Sequence, residues 1–149
     1  MVCQALNNHM WKKDEKIFTI DDAGDAVVGF VYIITNRENG MKYVGKKLFW
    51  SKRKLPPLKG KKRKRTVVKE SDWQDYFGSN DILMAESKES PEKFDREILH
   101  LCASKSEMSY LELQEQMSRR VLFRDDYYNR IINVKIHANH VKSLAVEQC

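Results

Sequence analysis

The sequence has little cysteine and uses it without pattern. Cys3, Cys102 and Cys149 are odd in number and far apart, which speaks against a disulfide framework and a zinc knuckle and fits a reducing cytoplasm. No run approaches the ~20 apolar residues a membrane span needs, so no membrane partner is expected. The first sixteen residues have no apolar centre and no small residues of cleavage type, so no signal peptide is expected. No internal repeat divides the 149 residues, a length at which one domain buries roughly two-thirds of its unfolded surface. The most informative absence is of acid. Between Lys46 and Lys69 stand Lys46, Lys47, Lys52, Arg53, Lys54, Lys59, Lys61, Lys62, Arg63, Lys64, Arg65 and Lys69, with no Asp or Glu among them. The net charge of +6 therefore understates a one-sided basic stretch, and the rest of the chain is net acidic. Such a stretch favours a polyanion partner, bound with steep salt dependence because each neutralised phosphate releases counterions.

What is present divides into a core at about 27–129, an arm at 1–26 and a closing segment at 130–149, all one domain. The arm lacks periodicity and reads as loose, with an edge strand at Ile17 to Ile20. Val27 to Thr35 is β-branched and aromatic, as a central strand is. Asn39-Gly40 is a strong turn dipeptide, and Lys42 to Lys47 returns as the second strand of an antiparallel hairpin. Leu48 to Lys54 reads as a short helix stopped by Pro56 and Pro57, and Gly60 to Arg65 as a basic loop. Trp73, Tyr76 and Phe77 form an aromatic anchor, after which Ser79 or Asn80 caps a helix. Phe94 to Leu101 reads as a third strand. Ser104 and Glu107 form a capping box for a helix from about Lys105 to Leu122, with its main apolar stripe at Tyr110, Leu113, Met117 and Val121. A short strand is expected over Ile131 to Ile136, then a tail. His137 and His140 lack a third metal ligand, and Asp125-Asp126 reads as a turn.

Tyr32 and Tyr43 lie eleven residues apart, Gly45 follows by two, and Arg53 by eight more. This order, Tyr32…Tyr43-Val44-Gly45…Arg53, resembles the catalytic core of the GIY-YIG endonucleases. The first triplet departs from the family pattern, reading Phe30-Val31-Tyr32. The resemblance spans about Val27 to Asn129. It implies an α+β fold, a central three-stranded antiparallel sheet flanked by helices. It further implies a metal-binding carboxylate on a later helix, Glu112 or Glu115, and an asparagine near the end of the core, matched by Tyr128-Asn129. Tyr76 is the candidate for a further site residue that some members carry, with Lys69 as another. The stretch from Trp73 to Asn80 is similar to a segment of phage-encoded and homing members, which implies a bacteriophage origin and a host-cell cytoplasmic location.

The residue types suit phosphodiester hydrolysis. A tyrosine whose pKa is lowered by a nearby cation can take a proton from water. Tyr43 or Tyr32 would do so, with Lys46 supplying the cation to Tyr43. Arg53 offers a forked donor to phosphate oxygens. One glutamate suits hydrated Mg²⁺, with Mn²⁺ as a substitute. Glu115 is preferred over Glu112 because it lies nearer the edge of an apolar patch on the helical wheel. Lys47, Lys59, Lys61, Lys62, Arg63, Lys64 and Arg65 would track the DNA backbone, with Gly45, Tyr76 and Asn129 in support. One active site per chain implies nicking, or a homodimer for double-strand cuts; no obligate protein partner is evident. The competing readings are a non-catalytic DNA-binding module, a nuclease for RNA or branched DNA, and a protein-interaction role. Phosphate contacts alone do not separate the nucleic acid substrates.

Overall fold

The computed structural model describes residues 10–146, with side chains as far as Leu144. The strands are β1 (Trp11–Lys13), β2 (Lys16–Ile17), β3 (Gly29–Asn36), β4 (Lys42–Leu48), β5 (Trp50–Leu55), β6 (Arg65–Glu70) and β7 (Phe94–Cys102). The helices are α1 (Asp81–Glu89), α2 (Lys105–Ser118) and α3 (Lys142–Val146). The expected antiparallel trio is present as β7-β3-β4, but the sheet is larger, ordered β2-β1-β7-β3-β4 with β1 parallel to β7. None of the described helices is long and apolar enough to cross a membrane.

β3 lies inside the sheet, between β7 and β4, and is apolar on both faces. Phe30, Tyr32 and Ile34 point into a cluster with Trp11, Phe18, Phe49, Trp73 and Phe94. Val31 and Ile33 point the other way, to Val44, Cys102, Met108 and Tyr127 beneath α2. A strand buried on both sides reads as a continuous apolar run. The register between β3 and β7 slips between Val31 and Tyr32, pairing Val31 with His100 and Tyr32 with Ile98. Such bulges locally re-aim side chains.

Four sequence expectations need correction. The arm is not loose within the described residues: β1 and β2 form a hairpin through Asp14 and Glu15, both at positive φ, as a primed turn requires. Trp11 and Phe18 are buried, and the Trp11 indole donates to the Trp73 carbonyl at 2.6 Å. The residues after Leu48 are not a helix. They form β5, an antiparallel partner of β6, because Thr66, Val67 and Val68 favour an extended partner strand. No strand forms at 131–136, and Ile131 is exposed. The free edge of β4 is instead met by Asp126 to Tyr128 through a parallel bridge from Lys42 to Tyr127. Finally, α2 stops at Ser118, where Arg120 takes a left-handed φ of 53°. Its buried positions are Met108 and Gln116, with Leu111 packed beside them, whereas Met117 is exposed. The helix thus turns its mixed polar face, not its most apolar stripe, to the sheet.

Candidate active site

The site forms where β4 ends the sheet, so that side chains from both faces meet around one strand edge. Side chains alternate along a strand. Tyr43, Gly45 and Lys47 therefore share one face of β4, and Val44 and Lys46 the other. Gly45 pairs with Tyr32 of β3. A Cβ at Gly45 would lie 2.4 Å from the Tyr32 hydroxyl oxygen and 2.9 Å from Tyr43 Cε1. Only the missing side chain lets the Tyr32 phenol cross β4 toward its edge.

Three tyrosines gather there. The Tyr32 ring lies 6.3 Å from that of Tyr43 and 6.0 Å, edge-on, from that of Tyr76. Tyr76 comes from the aromatic segment that Trp73 anchors in the core. The Tyr43 hydroxyl shares a 2.9 Å hydrogen bond with Ser79 Oγ. Ser79 is held by its neighbour Asn80, whose side chain accepts from the Ile82 and Leu83 amides at the start of α1 and donates to the Tyr128 carbonyl. Gly78, at φ 91°, lets the chain turn against the Tyr43 ring.

On the α2 side, Lys46 Nζ donates to Ser109 Oγ at 2.7 Å and stands 3.9 Å from Glu112 Oε1. The Glu112 side chain is only 15% exposed. One turn on, Glu115 is already engaged, accepting from Arg119 Nε at 3.0 Å and bonded to His100 Nε2 at 2.8 Å. Both lie on the sheet-facing side, Glu112 beside β4 and Glu115 beside β7.

Electrostatics separate these groups further. Burial pushes the Tyr32 phenol well up, assisted by Tyr76 and Tyr43. Burial also raises Tyr43, opposed by the Ser79 hydrogen bond and assisted by Tyr76 and Glu112. The expectation of a Tyr43 lowered by Lys46 is thus reversed: Lys46 leaves the opposite face of β4 and is engaged by Ser109 and Glu112. Burial raises Glu112, opposed by Lys46. Burial would raise Glu115 too, but the hydrogen bonds from His100 and Arg119 outweigh it and hold it below the ordinary carboxylate range. Glu112 influences both Tyr32 and Tyr43, so the carboxylate and the phenols occupy one electrostatic field although they start from opposite faces.

The remaining sequence candidates fall elsewhere. Asn129 is buried and brackets Val44, accepting from its amide at 3.0 Å and donating to its carbonyl at 2.8 Å. Gln116 adds a second side-chain bond to the same carbonyl. Asn129 therefore completes the edge of β4 as a surrogate strand. Arg53 is exposed on β5 opposite Val67, and no contact joins it to the phenols among the described residues. Lys59, Lys61, Lys62, Arg63 and Lys64 lie exposed between β5 and β6, and Arg65 opens β6. Lys47 is not with them: its ammonium sits 4.1 Å over the Tyr76 ring and 2.6 Å from Asp72. Lys69 also lies on β6, away from the phenols. Sequence reasoning missed Ser79 as the partner of Tyr43, Ser109 as that of Lys46, and His100 as that of Glu115. The only signal for Ser79 was its place just before a helix cap; the other two depend on packing between distant elements.

Among the described residues no group of three or more His, Cys, Asp or Glu side chains forms a metal cage. Glu112 is a single, partly buried carboxylate beside Lys46. That donor set fits Mg²⁺, which keeps most of its waters and takes one or two carboxylates beside substrate phosphate.

The family model described as "Putative endonuclease segE, GIY-YIG domain" matches residues 11–132. No curated protein and no solved structure matches the chain.

Proposed function

Because the chain belongs to the GIY-YIG endonuclease family, we propose that it is a Mg²⁺-dependent, phage-encoded endonuclease that hydrolyses DNA phosphodiester bonds at the β4 edge, with Tyr43, Lys46 and Glu112 at the reacting centre. The observation that carries this reading is the joint placement of the phenol cluster over Gly45 and the Lys46–Glu112 pair around one strand edge. Mn²⁺ is expected to substitute for Mg²⁺.

Glu112 is a better ligand than Glu115 on chemical grounds. Both Glu115 oxygens are engaged by His100 and Arg119, whereas Glu112 meets a single cation at 3.9 Å. A divalent cation held by Glu112 would act as a Lewis acid toward the leaving oxygen. Tyr43 is the phenol that water reaches, being half-buried where Tyr32 is 1% exposed. It is therefore assigned the proton of the attacking water, with Ser79 fixing its hydroxyl. Neutralising the Glu112 charge removes one of the influences that raise Tyr43, which brings its pKa closer to what a general base requires. Tyr32 is a positioning residue that holds Tyr43 and Tyr76 in place. Lys46 supplies positive charge beside the carboxylate, where charge builds on phosphate oxygens. Arg53 stands off the phenols, so its contribution is to hold the substrate.

Supercoiled plasmid incubated with Mg²⁺ should be nicked by the wild type and left intact with EDTA. Tyr43→Phe should lose about 10²-fold or more in rate, the usual scale of general-base removal. Tyr43→Phe cleaving at the wild-type rate would reject Tyr43 as the base. Salt-sensitive plasmid binding by the wild type without cleavage would instead favour a non-catalytic binding module.

A further inference from the structure

The β5–β6 hairpin has no use as a scaffold. Both strands are exposed along nearly their whole length, and a two-stranded ribbon without a packed face is marginally stable in water. It joins the domain at its base, where Phe49 is fully buried and the Ser71 hydroxyl donates to the Leu48 carbonyl at 2.6 Å. From Trp50 to Glu70 it carries Lys52, Arg53, Lys54, Lys59, Lys61, Lys62, Arg63, Lys64, Arg65 and Lys69 against Glu70 alone. A loose basic loop would need none of the paired strand structure seen here, with six residues of β5 in register with six of β6.

We propose that this ribbon is a DNA-reading arm that enters the major groove of B-form duplex DNA. The groove, about 12 Å wide and 8.5 Å deep, admits a two-stranded β-ribbon. Strands of this length reach roughly 20 Å at 3.3 Å per residue. The faces of the ribbon are not alike. Directly paired residues share a face, so Ser51, Arg53 and Leu55 lie with Lys69, Val67 and Arg65. This face joins two guanidinium forks, suited to the O6 and N7 acceptors of guanine, to a branched apolar group suited to the thymine methyl. The cations of the intervening turn, Lys59 and Lys61 to Lys64, meet the phosphates that wall the groove. The ribbon also chooses between nucleic acids. The major groove of A-form RNA is too deep and narrow for side chains to read, so the arm selects duplex DNA over duplex RNA.

This inference rests on the nuclease reading only for its class of ligand, and its test is independent of cleavage. Binding of fluorescently labelled, mixed-sequence DNA and RNA duplexes is measured in EDTA by anisotropy. The proteins compared are the wild type, Arg53→Gln/Arg65→Gln, and an arm deletion in which an Asn-Gly turn joins Trp50 to Glu70. Those two residues face each other across the ribbon, and circular dichroism verifies that each variant is folded. The wild type should bind the DNA duplex tighter than the RNA duplex by at least about tenfold. The deletion should abolish that preference and lower the slope of log affinity against log salt by about 0.9 for each phosphate that the arm no longer neutralises. The double variant should lose preference while keeping most of the slope. The major-groove ligand methyl green should displace the wild type, and the minor-groove ligand netropsin should not. Equal binding of the two duplexes, a folded deletion that keeps wild-type preference, or displacement by netropsin alone would overturn the arm. A plasmid left uncut while these binding results hold would overturn the nuclease reading and leave the arm standing.

Discussion

At the residue scale the site turns on Gly45. Its missing Cβ is the space that the Tyr32 hydroxyl fills, and Tyr32 is buried and cannot retreat. Gly45→Ala should therefore overpack the strand, cost about 1–3 kcal/mol and displace Tyr32 and Tyr43 together. Thermal denaturation read beside the cleavage rate measures both effects. The carboxylates differ in their response to pH. Glu112 is raised by burial in the metal-free protein, so the Mg²⁺ concentration needed for half-maximal nicking should begin to climb on acidification at a pH above the ordinary carboxylate range. Glu115 is lowered by His100 and Arg119. Its contribution to stability is complete above the unfolded carboxyl value and is lost as pH falls through the lower folded value. Glu115→Gln should thus melt below the wild type at neutral pH, and the gap should close in acid; parallel melting curves at the two pH values check this. Ser79→Ala removes a hydrogen bond that lowers Tyr43, so the Tyr43 limb of the pH–rate profile should move toward alkaline pH. A profile that scales without shifting would make Ser79 merely structural.

At the scale of elements, much of the site's framework was legible in the sequence. The run VVGFVYIIT, the Asn39-Gly40 turn and KYVGKK gave the hairpin because their chemistry is local. Ser104 caps α2 as its type and place suggested, accepting from the Glu107 amide, although Glu107 reaches back to the Ala103 amide in place of the cap's own. The orientation of α2 was not legible. A wheel ranks faces by hydrophobicity, but the face that wins here carries Gln116 and Glu112, whose polar ends are satisfied by β4 and Lys46. For the same reason the wheel's preference for Glu115 over Glu112 took no account of the elements that flank the two glutamates. β5 was missed because its pairing partner lies beyond a long basic turn. Asn129 tests the element scale directly. Asn129→Ala leaves the Val44 amide without its side-chain partner, a loss of about 1–3 kcal/mol for a buried group. It should loosen the edge of β4, so faster amide exchange at Val44 and slower cleavage should appear together.

For the whole molecule, the architecture divides the labour. The five-stranded sheet and α2 fix one strand edge from both sides, and it is to this edge that we assign the chemistry. The basic charge that made a polyanion partner legible in the sequence is gathered on a ribbon outside that core, and Arg53 goes with it. The central claim is that Glu112, not Glu115, completes the site. The most direct measurement is the Mg²⁺-dependent nicking rate of supercoiled plasmid by Glu112→Gln and Glu115→Gln side by side, at a temperature where circular dichroism finds both folded. Glu112→Gln should be inactive, while Glu115→Gln, though less stable, should still nick. An active Glu112→Gln beside an inactive, folded Glu115→Gln would contradict the claim.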